Sequence, residues 1–211
     1  MIEFTIFRIP VRVEMSFWIT IGILGILWNQ GSPSDMLVNA GLFVFVAFLS
    51  ILIHELGHGL MIKKYGLPTQ IVLASFGGYA THPAGILSRL QSFLVTLAGP
   101  LLQGSIGYLV YYLVDNNMIV LPPNKMDLMV RYFYVVSIFW AIFNCVPVLP
   151  LDGGRMVEAA LGPKRIKLTL MISMVTAGIL ALLGLMYGQV FVGIFMLMFG
   201  WQNYQAYNQI N

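Results

Sequence analysis

Charged side chains are scarce in this sequence. Only 9% of its 211 residues are Asp, Glu, Lys or Arg, whereas 59% are hydrophobic. A soluble domain carries about 25% charged residues, so the deficit excludes an ordinary water-exposed surface and indicates that most of the surface meets lipid. The net charge of +3 is small. Because the Lys and Arg residues also form no basic stripe, no nucleic-acid partner is expected.

Cysteine is almost absent as well. Cys145 is the only one, which excludes a disulfide framework and a zinc site built from cysteines. A cleavable signal peptide is not indicated, because no small-residue cleavage pattern follows the first apolar run, Phe17 to Trp28. We therefore expect this run to be retained as a membrane span within a single domain that covers residues 1–211.

Long apolar runs, by contrast, fill the chain. A helix needs about 20 apolar residues to cross a bilayer. Six segments are candidates, the first of them short: residues 15–29, 38–62, 91–114, 128–148, 168–186 and 188–204. The turn between the last two is placed at Tyr187-Gly188-Gln189. The predicted fold class is an all-α polytopic membrane protein with about six transmembrane helices.

Residues 65–90 do not fit a spanning helix, because glycines and prolines interrupt them. The run Thr69 to Thr81 favours strand and is too apolar for an ordinary loop. Irregular backbone at membrane depth is tolerated only where protein or a wet cavity satisfies it. We predict a small re-entrant β-hairpin or sheet on the cytosolic side, to which Phe4–Arg8 adds a strand. The alternative is a cytosolic loop that rests on the lipid headgroups.

The distribution of positive charge predicts the orientation. With the N-terminus in the cytosol, the outer segments contain only Lys125 and Arg131. The cytosolic segments then contain the other nine basic residues: Arg8, Arg12, Lys63, Lys64, Arg89, Arg155, Lys164, Arg165 and Lys167. Cytosolic loops are enriched in Lys and Arg. The sequence therefore predicts an integral multi-pass protein of the cell (cytoplasmic) membrane with both termini in the cytosol.

The second apolar segment contains the sequence HELGH at residues 54–58. His54 and His58 are four residues apart and share one helical face, which Ser50 extends. HExxH on a helix is the pattern of a two-histidine zinc site with the glutamate, here Glu55, as general base. Metal binding offsets the cost of ionisable groups in lipid and also explains their spacing. A structural polar network is the alternative.

A catalytic zinc site takes a third protein ligand. Asp152 is the best candidate, in FNCVPVLPLDGGR at residues 143–155, where two prolines end the fourth span and two glycines permit a sharp turn. Both spans run toward the cytosol, which brings the three side chains to one leaflet. Two alternatives stay open: an ion pair of Asp152 with Arg155, and His82 as the third ligand. Asn144 is expected to hydrogen-bond the substrate backbone or the developing oxyanion, or else another helix.

These residues resemble a known family. HELGH, together with Asn144, Pro147 and Asp152-Gly153 in the pattern N-x-x-P-x-x-x-x-D-G, resembles the site-2 protease family of intramembrane zinc metalloproteases. FGG at 76–78 resembles the re-entrant β-segment of that family, and LAGP at 97–100 resembles its third-span motif. Two positions depart from the family pattern: Gln103 stands where asparagine is frequent, and Glu14-Met15 where a histidine is frequent.

The resemblance implies a minimal, core-only member with a catalytic core at about 38–155 and flanking helices at 15–29, 168–186 and 188–204. It implies one zinc ion per chain on His54, His58 and Asp152. Glu55 would activate water and Asn144 would hold the substrate. The partners would be the lipid bilayer and a transmembrane protein or peptide substrate, while a gating partner or a second copy of the chain stays open.

The predicted function is that of a zinc-dependent metalloendopeptidase that cuts within or near transmembrane segments during regulated intramembrane proteolysis. A different class is a zinc or proton transporter that uses the same intramembrane ionisable cluster. A further alternative is an HExxH protease whose third ligand is a glutamate from a later helix, for which Glu158 is the only glutamate available.

Overall fold

The computed structural model describes residues 1–28, 33–75 and 77–210. Within these ranges the chain order is β1 Ile2–Ile6, β2 Ile9–Val13, α1 Met15–Trp28, α2 Pro33–Lys64, β3 Gln70–Ala74, β4 Gly77–Thr81, α3 Arg89–Asp115, α4 Lys125–Asn144, α5 Asp152–Leu161, α6 Ile166–Met186 and α7 Val190–Gln209. A short 3-10 helix, Pro163–Arg165, precedes α6. Phe76 of the FGG stretch and residue 29 of the first predicted span lie outside the described residues.

Four helical segments within the described ranges are long and apolar enough to cross a membrane: Asp35–Lys64, Arg89–Asp115, Lys125–Asn144 and Pro163–Met186. The prediction of a mostly helical membrane protein is confirmed, but the count of six spans is not. Helix α1 contains 14 residues. At 1.5 Å per residue it reaches about 21 Å, short of the roughly 30 Å hydrocarbon core. Helix α7 is not among the four, and its last two turns carry polar residues, Gln202 and Asn203 among them.

The described chain divides into two compact units. The first unit comprises Met1–Ala84 and Ala98–Ile142, and the second comprises Gly85–Leu97 and Phe143–Asn211. HELGH therefore belongs to the first unit, and Asn144 and Asp152 belong to the second.

A four-stranded sheet in the first unit has the order β1-β2-β3-β4. The predicted hairpin over Thr69–Thr81 is present as the antiparallel pair β3 and β4, with Ile71 opposite Ala80. The N-terminus contributes a second hairpin rather than one strand, because Phe7 and Arg8 take positive φ angles of 49° and 61° and turn the chain. It is the returning strand, β2, that pairs with β3, in parallel.

Alternating burial explains why this sheet packs against the helix that carries HELGH. In β2 the side chains of Ile9, Val11 and Val13 are buried and the residues between them are not. Such a period of two gives a strand one apolar face. That face joins a buried cluster made of Ile9, Val11, Val13, Phe17, Ile21, Ile51, Leu52, Leu56, Ile71 and Leu73. Residues on both sides of His54 in α2 are thus packed against the sheet.

The second unit is dominated by α6 and α7, which pack along each other. Small residues, Ala177, Ala181 and Gly184 on α6 and Gly193 on α7, are buried between them. Tyr187, Gly188 and Gln189 separate the two helices, and Gly188 has a φ of 71°. The predicted turn is therefore confirmed. The ten-residue helix α5 has no counterpart among the elements predicted from the sequence.

Candidate metal centre

His54 and His58 form a buried pair on α2. Their side chains are 3% and 8% exposed, and their Nε2 atoms lie 3.1 Å apart. The rings are nearly perpendicular, at 79°. Two ligands at 2.0–2.1 Å from a tetrahedral zinc ion lie about 3.3 Å from each other. The pair thus sets its two Nε2 atoms at a separation that suits zinc.

Gln103 of α3 contacts the opposite nitrogen of the first histidine. Its Oε1 atom lies 2.9 Å from His54 Nδ1. Its Nε2 atom donates to the carbonyl oxygen of Ser50 at 3.2 Å and to the Ser50 hydroxyl at 2.8 Å. Ser50 Oγ in turn lies 2.9 Å from Ser137 Oγ on α4. A chain of buried hydrogen bonds therefore runs from His54 through α3 to α4.

Gly99 allows α3 to approach His58 closely. A Cβ atom at position 99 would lie 2.3 Å from His58 Nε2. Gly57 makes the matching contact, since a Cβ there would lie 2.3 Å from the carbonyl oxygen of Ala98. Gly57 thus admits α3, whereas Gly59 faces the sheet, with Ile9 3.3 Å from the position of its Cβ. Pro100 lies inside α3 without ending it.

Glu55 is 3% exposed and lies beside β4. A Cβ atom on Gly78 would be 2.7 Å from Glu55 Cγ, so only a glycine allows the strand to come this close. The general base predicted from HExxH and the edge strand of the sheet are therefore neighbours within the first unit.

His82 is exposed, in contrast to the other two histidines. It follows β4, and its Nδ1 donates to the carbonyl oxygen of Pro83 at 3.0 Å. This environment is typical of a polar loop residue.

Asp152 opens α5 in the second unit and is half-buried. The two glycines that follow let residues 145–149 fold back over the first turn of this helix. A Cβ on Gly153 would lie 2.2 Å from the carbonyl oxygen of Cys145, and one on Gly154 would lie 2.4 Å from the Leu149 nitrogen. Asn144, also half-buried, is the last residue of α4. The Nε of Arg155 donates to the carbonyl oxygen of Pro150 at 3.3 Å.

The segment before Asp152 is held by α6 and α7. The backbone N–H of Leu149 donates to Ser173 Oγ at 3.1 Å, and its carbonyl oxygen accepts a bond from Asn203 Nδ2 at 2.7 Å. Asn203 also donates to the carbonyl oxygen of Phe199 at 2.7 Å. The side chains of Ser173 and Asn203 are buried, at 0% and 3% exposed. The C-terminal helices thus fix the backbone three residues before the carboxylate.

The sequence analysis named five candidate residues but not the polar residues of the hydrogen-bond networks around them. Gln103, Ser137, Ser173 and Asn203 were not assigned roles at the site, and Ser50 was noted only as part of the histidine stripe. One signal could have found them. Each is a polar residue inside an otherwise apolar segment, and a polar group buried without a partner is costly.

A family model matches part of the chain. It is that of peptidase family M50, and it covers residues 121–186, which include Asn144 and Asp152. The match begins at residue 121 and does not include HELGH at residues 54–58.

Curated relatives are named as zinc metalloproteases. One from Methanocaldococcus jannaschii is 28% identical over 162 residues, covering 76% of this chain and 45% of its own length. A putative zinc metalloprotease of Synechocystis is 27% identical over 166 residues, covering 74% and 42%. The chain thus spans less than half the length of these two. A second putative enzyme of M. jannaschii is 24% identical, with 73% and 87% covered.

A solved structure shares the fold. The site-2 protease from M. jannaschii superposes with a TM-score of 0.65 at 24% identity, and the match covers 98% of this chain and 94% of that one. At this identity the likeness shows the fold alone.

Proposed function

We propose that this chain, a relative of the site-2 proteases of peptidase family M50, is an intramembrane zinc metalloprotease that hydrolyses peptide bonds within or near transmembrane segments. One observation carries the proposal: two buried imidazoles set their Nε2 atoms 3.1 Å apart on a helix long and apolar enough to cross a membrane. A buried glutamate follows directly in the sequence. Such ionisable groups inside a membrane helix mark a functional site.

The metal is zinc, one ion per chain, held by His54, His58 and Asp152. These three side chains are a set that could hold a metal ion. Two neutral imidazoles and one carboxylate are a ligand set that catalytic zinc uses, with a fourth position left open. When bound, the ion would act as a Lewis acid toward the carbonyl group of the substrate and would lower the pKa of a coordinated water. The glycine at position 99 supports this fit, because any side chain there would fill the space beside His58 Nε2.

Glu55 acts as the general base and then the general acid. Its carboxylate takes a proton from the attacking water and later delivers it to the nitrogen of the leaving amine. The side chain is buried against β4 through Gly78, which restricts its motion and keeps it oriented. Asn144 contributes an amide that hydrogen-bonds the substrate backbone near the bond that breaks.

The substrate is a transmembrane segment that unwinds locally, since a helix conceals its carbonyl groups in its own hydrogen bonds. Among the strands of the described residues, β4 is the last in the sheet, so one of its edges has no neighbouring strand there. An extended segment can add to such an edge through backbone hydrogen bonds. These bonds offset the ones lost on unwinding.

The topology that fits this function has six spans: the four that meet the length and hydropathy of a span, the short helix α1, and α7. Both termini lie in the cytosol of a cell-membrane protein. The support is the excess of Lys and Arg in the segments that this orientation makes cytosolic. The zinc or proton transporter alternative is not favoured, because the curated relatives are named as proteases.

The test uses the full chain in liposomes with a labelled transmembrane substrate. Wild type should contain about one zinc ion per chain and cleave, as a three-ligand catalytic site predicts. Glu55→Gln should keep the metal and lose at least about 100-fold in rate, the lower range for general acid–base catalysis. His54→Ala should lose both. Cleavage by Glu55→Gln at the wild-type rate, or zinc flux without cleavage by wild type, would overturn the proposal.

A further inference from the structure

We propose that Gln103 is a positioning residue for this metal centre. It holds His54 in the tautomer that carries the proton on Nδ1, which leaves the Nε2 lone pair for zinc. The inference rests on the proposed function, because it concerns a ligand of the zinc ion named there.

The orientation of the Gln103 amide follows from its partner on α2. The carbonyl oxygen of Ser50 accepts hydrogen bonds and cannot donate them. The atom of Gln103 that faces it, at 3.2 Å, must therefore be the NH2 group. The same group donates to the Ser50 hydroxyl at 2.8 Å. The amide cannot be flipped without placing two carbonyl oxygens against each other.

The tautomer of His54 follows from this orientation. With its NH2 group on Ser50, Gln103 presents Oε1 to His54 Nδ1 at 2.9 Å. An amide oxygen only accepts, so Nδ1 must be the protonated nitrogen. The other tautomer would set a lone pair against Oε1 and place a proton on Nε2, where it would block the metal. A hydrogen bond to the second nitrogen is the usual way in which proteins orient a metal-binding histidine.

The hydrogen bonds that hold the Gln103 amide are shielded from water. Gln103, Ser50 and Ser137 are 1%, 0% and 1% exposed, so the structure gives water little access to substitute for any of these bonds. The Ser50 hydroxyl accepts a bond from Gln103 and lies 2.9 Å from the hydroxyl of Ser137. Ser137, on α4, is the last member of this hydrogen-bond network and does not contact His54 within it. It therefore offers a matched control.

The first experiment measures zinc affinity of the full-length protein by competition with a chelator. Gln103→Leu keeps the volume and removes the acceptor, and we expect zinc to bind about 10- to 100-fold more weakly, the usual cost of losing such a partner. Gln103→Glu keeps an acceptor for Nδ1–H but loses the donor to the Ser50 carbonyl oxygen, so it should recover part of the affinity. Ser137→Ala should stay within about 3-fold of wild type, since its partner hydroxyl keeps the bond from Gln103.

The second experiment observes the tautomer directly. The chain has three histidines. A ¹⁵N-histidine spectrum of the full-length, zinc-free protein is therefore simple, and the His82→Asn and His58→Asn variants identify the signals of His54. We expect His54 to show a protonated Nδ1 in wild type and in Ser137→Ala. In Gln103→Leu we expect a mixture of ring states. A merely structural role of Gln103 would change stability and leave the tautomer as it was.

The two proposals fail differently. If wild type binds no zinc, the proposed metal centre is wrong and the positioning role falls with it. If wild type binds zinc and cleaves substrate, while Gln103→Leu binds zinc equally well and His54 keeps Nδ1–H, only the role of Gln103 is overturned. A proton on Nε2 of His54 in the wild-type protein would also overturn it.

Discussion

The two units of the chain supply candidate ligands in different ways. In the first unit, the spacing of His54 and His58 on one helix already sets both rings on one face, and a side-chain hydrogen bond from α3 orients one of them. In the second unit, Asp152 stands where a loop becomes a helix, and its position depends on how residues 145–149 fold back. A local pattern thus suffices for the histidines, whereas the aspartate depends on tertiary structure. Changes in the two regions should therefore have different consequences.

The largest effect is expected from Gly153→Ala, in the second unit. The new Cβ would lie 2.2 Å from the carbonyl oxygen of Cys145 and 2.3 Å from that of Val146. Both obstacles are backbone atoms, so no side-chain rotation relieves the clash. We expect a loss of about 3–5 kcal/mol in the free energy of unfolding, at the upper end for single substitutions, and no cleavage. Thermal unfolding in detergent and a cleavage assay measure the two effects.

The control for this change is Gly178→Ala in α6 of the same unit, where a Cβ would meet no atom within 4 Å. Replacing glycine by alanine inside a helix normally stabilises it by about 0.5–1 kcal/mol. Equal stability of the two variants would show that the backbone does not fold over α5 as described. The position of Asp152 would then not depend on that tertiary contact, and the two units would not differ in this respect.

An intermediate effect is expected from Gly99→Ala in the first unit. The added methyl group would lie 2.3 Å from His58 Nε2, a side-chain atom that can move. The fold should therefore survive while the imidazole leaves its position. We expect the affinity for zinc to fall by at least about 10-fold, or about 1.4 kcal/mol. Chelator competition measures the affinity, and thermal unfolding checks the fold.

Gly41→Ala in α2 is the matched control, because a Cβ at that position has nothing within 4 Å. Its zinc affinity should equal that of wild type. Should Gly99→Ala bind zinc as tightly as Gly41→Ala, the position of the His58 ring would not govern metal binding, and the first unit would be less dependent on helix packing than we infer.

The sequence predicted the features that depend on neighbours along the chain. The third predicted span, 91–114, lies within two residues of α3 at Arg89–Asp115, because an apolar run is itself the signal for such a helix. HExxH needs only the period of a helix to place its histidines on one face. The strands over Thr69–Thr81 were likewise indicated by composition and by the glycines and prolines around them.

Several features that depend on contacts between distant residues were not predicted. Gln103 is 49 residues from His54, and no local pattern connects them. The N-terminal strand was predicted to join the hairpin directly, but the turn at Phe7 and Arg8 inserts a second strand, and both residues have side chains that rarely take a positive φ. Helix α5 was missed because the two glycines in its first turn indicate a sharp turn, although most of the residues that follow them favour a helix.

The smallest effect is expected from Ser173→Ala, which removes the acceptor of the Leu149 N–H in the second unit. The loss should be about 0.5–1.5 kcal/mol of unfolding free energy, as for a typical buried hydrogen bond. Thr169 lies one turn earlier on α6, is 0% exposed, and its hydroxyl has no partner among the described residues. Thr169→Val should therefore be neutral or stabilising. If Ser173→Ala weakens zinc binding as well as stability, the loop transmits its position to Asp152. If it changes stability alone, the carboxylate is positioned by α5 and its glycines. Asp152 would then depend mainly on local structure, as the two histidines do.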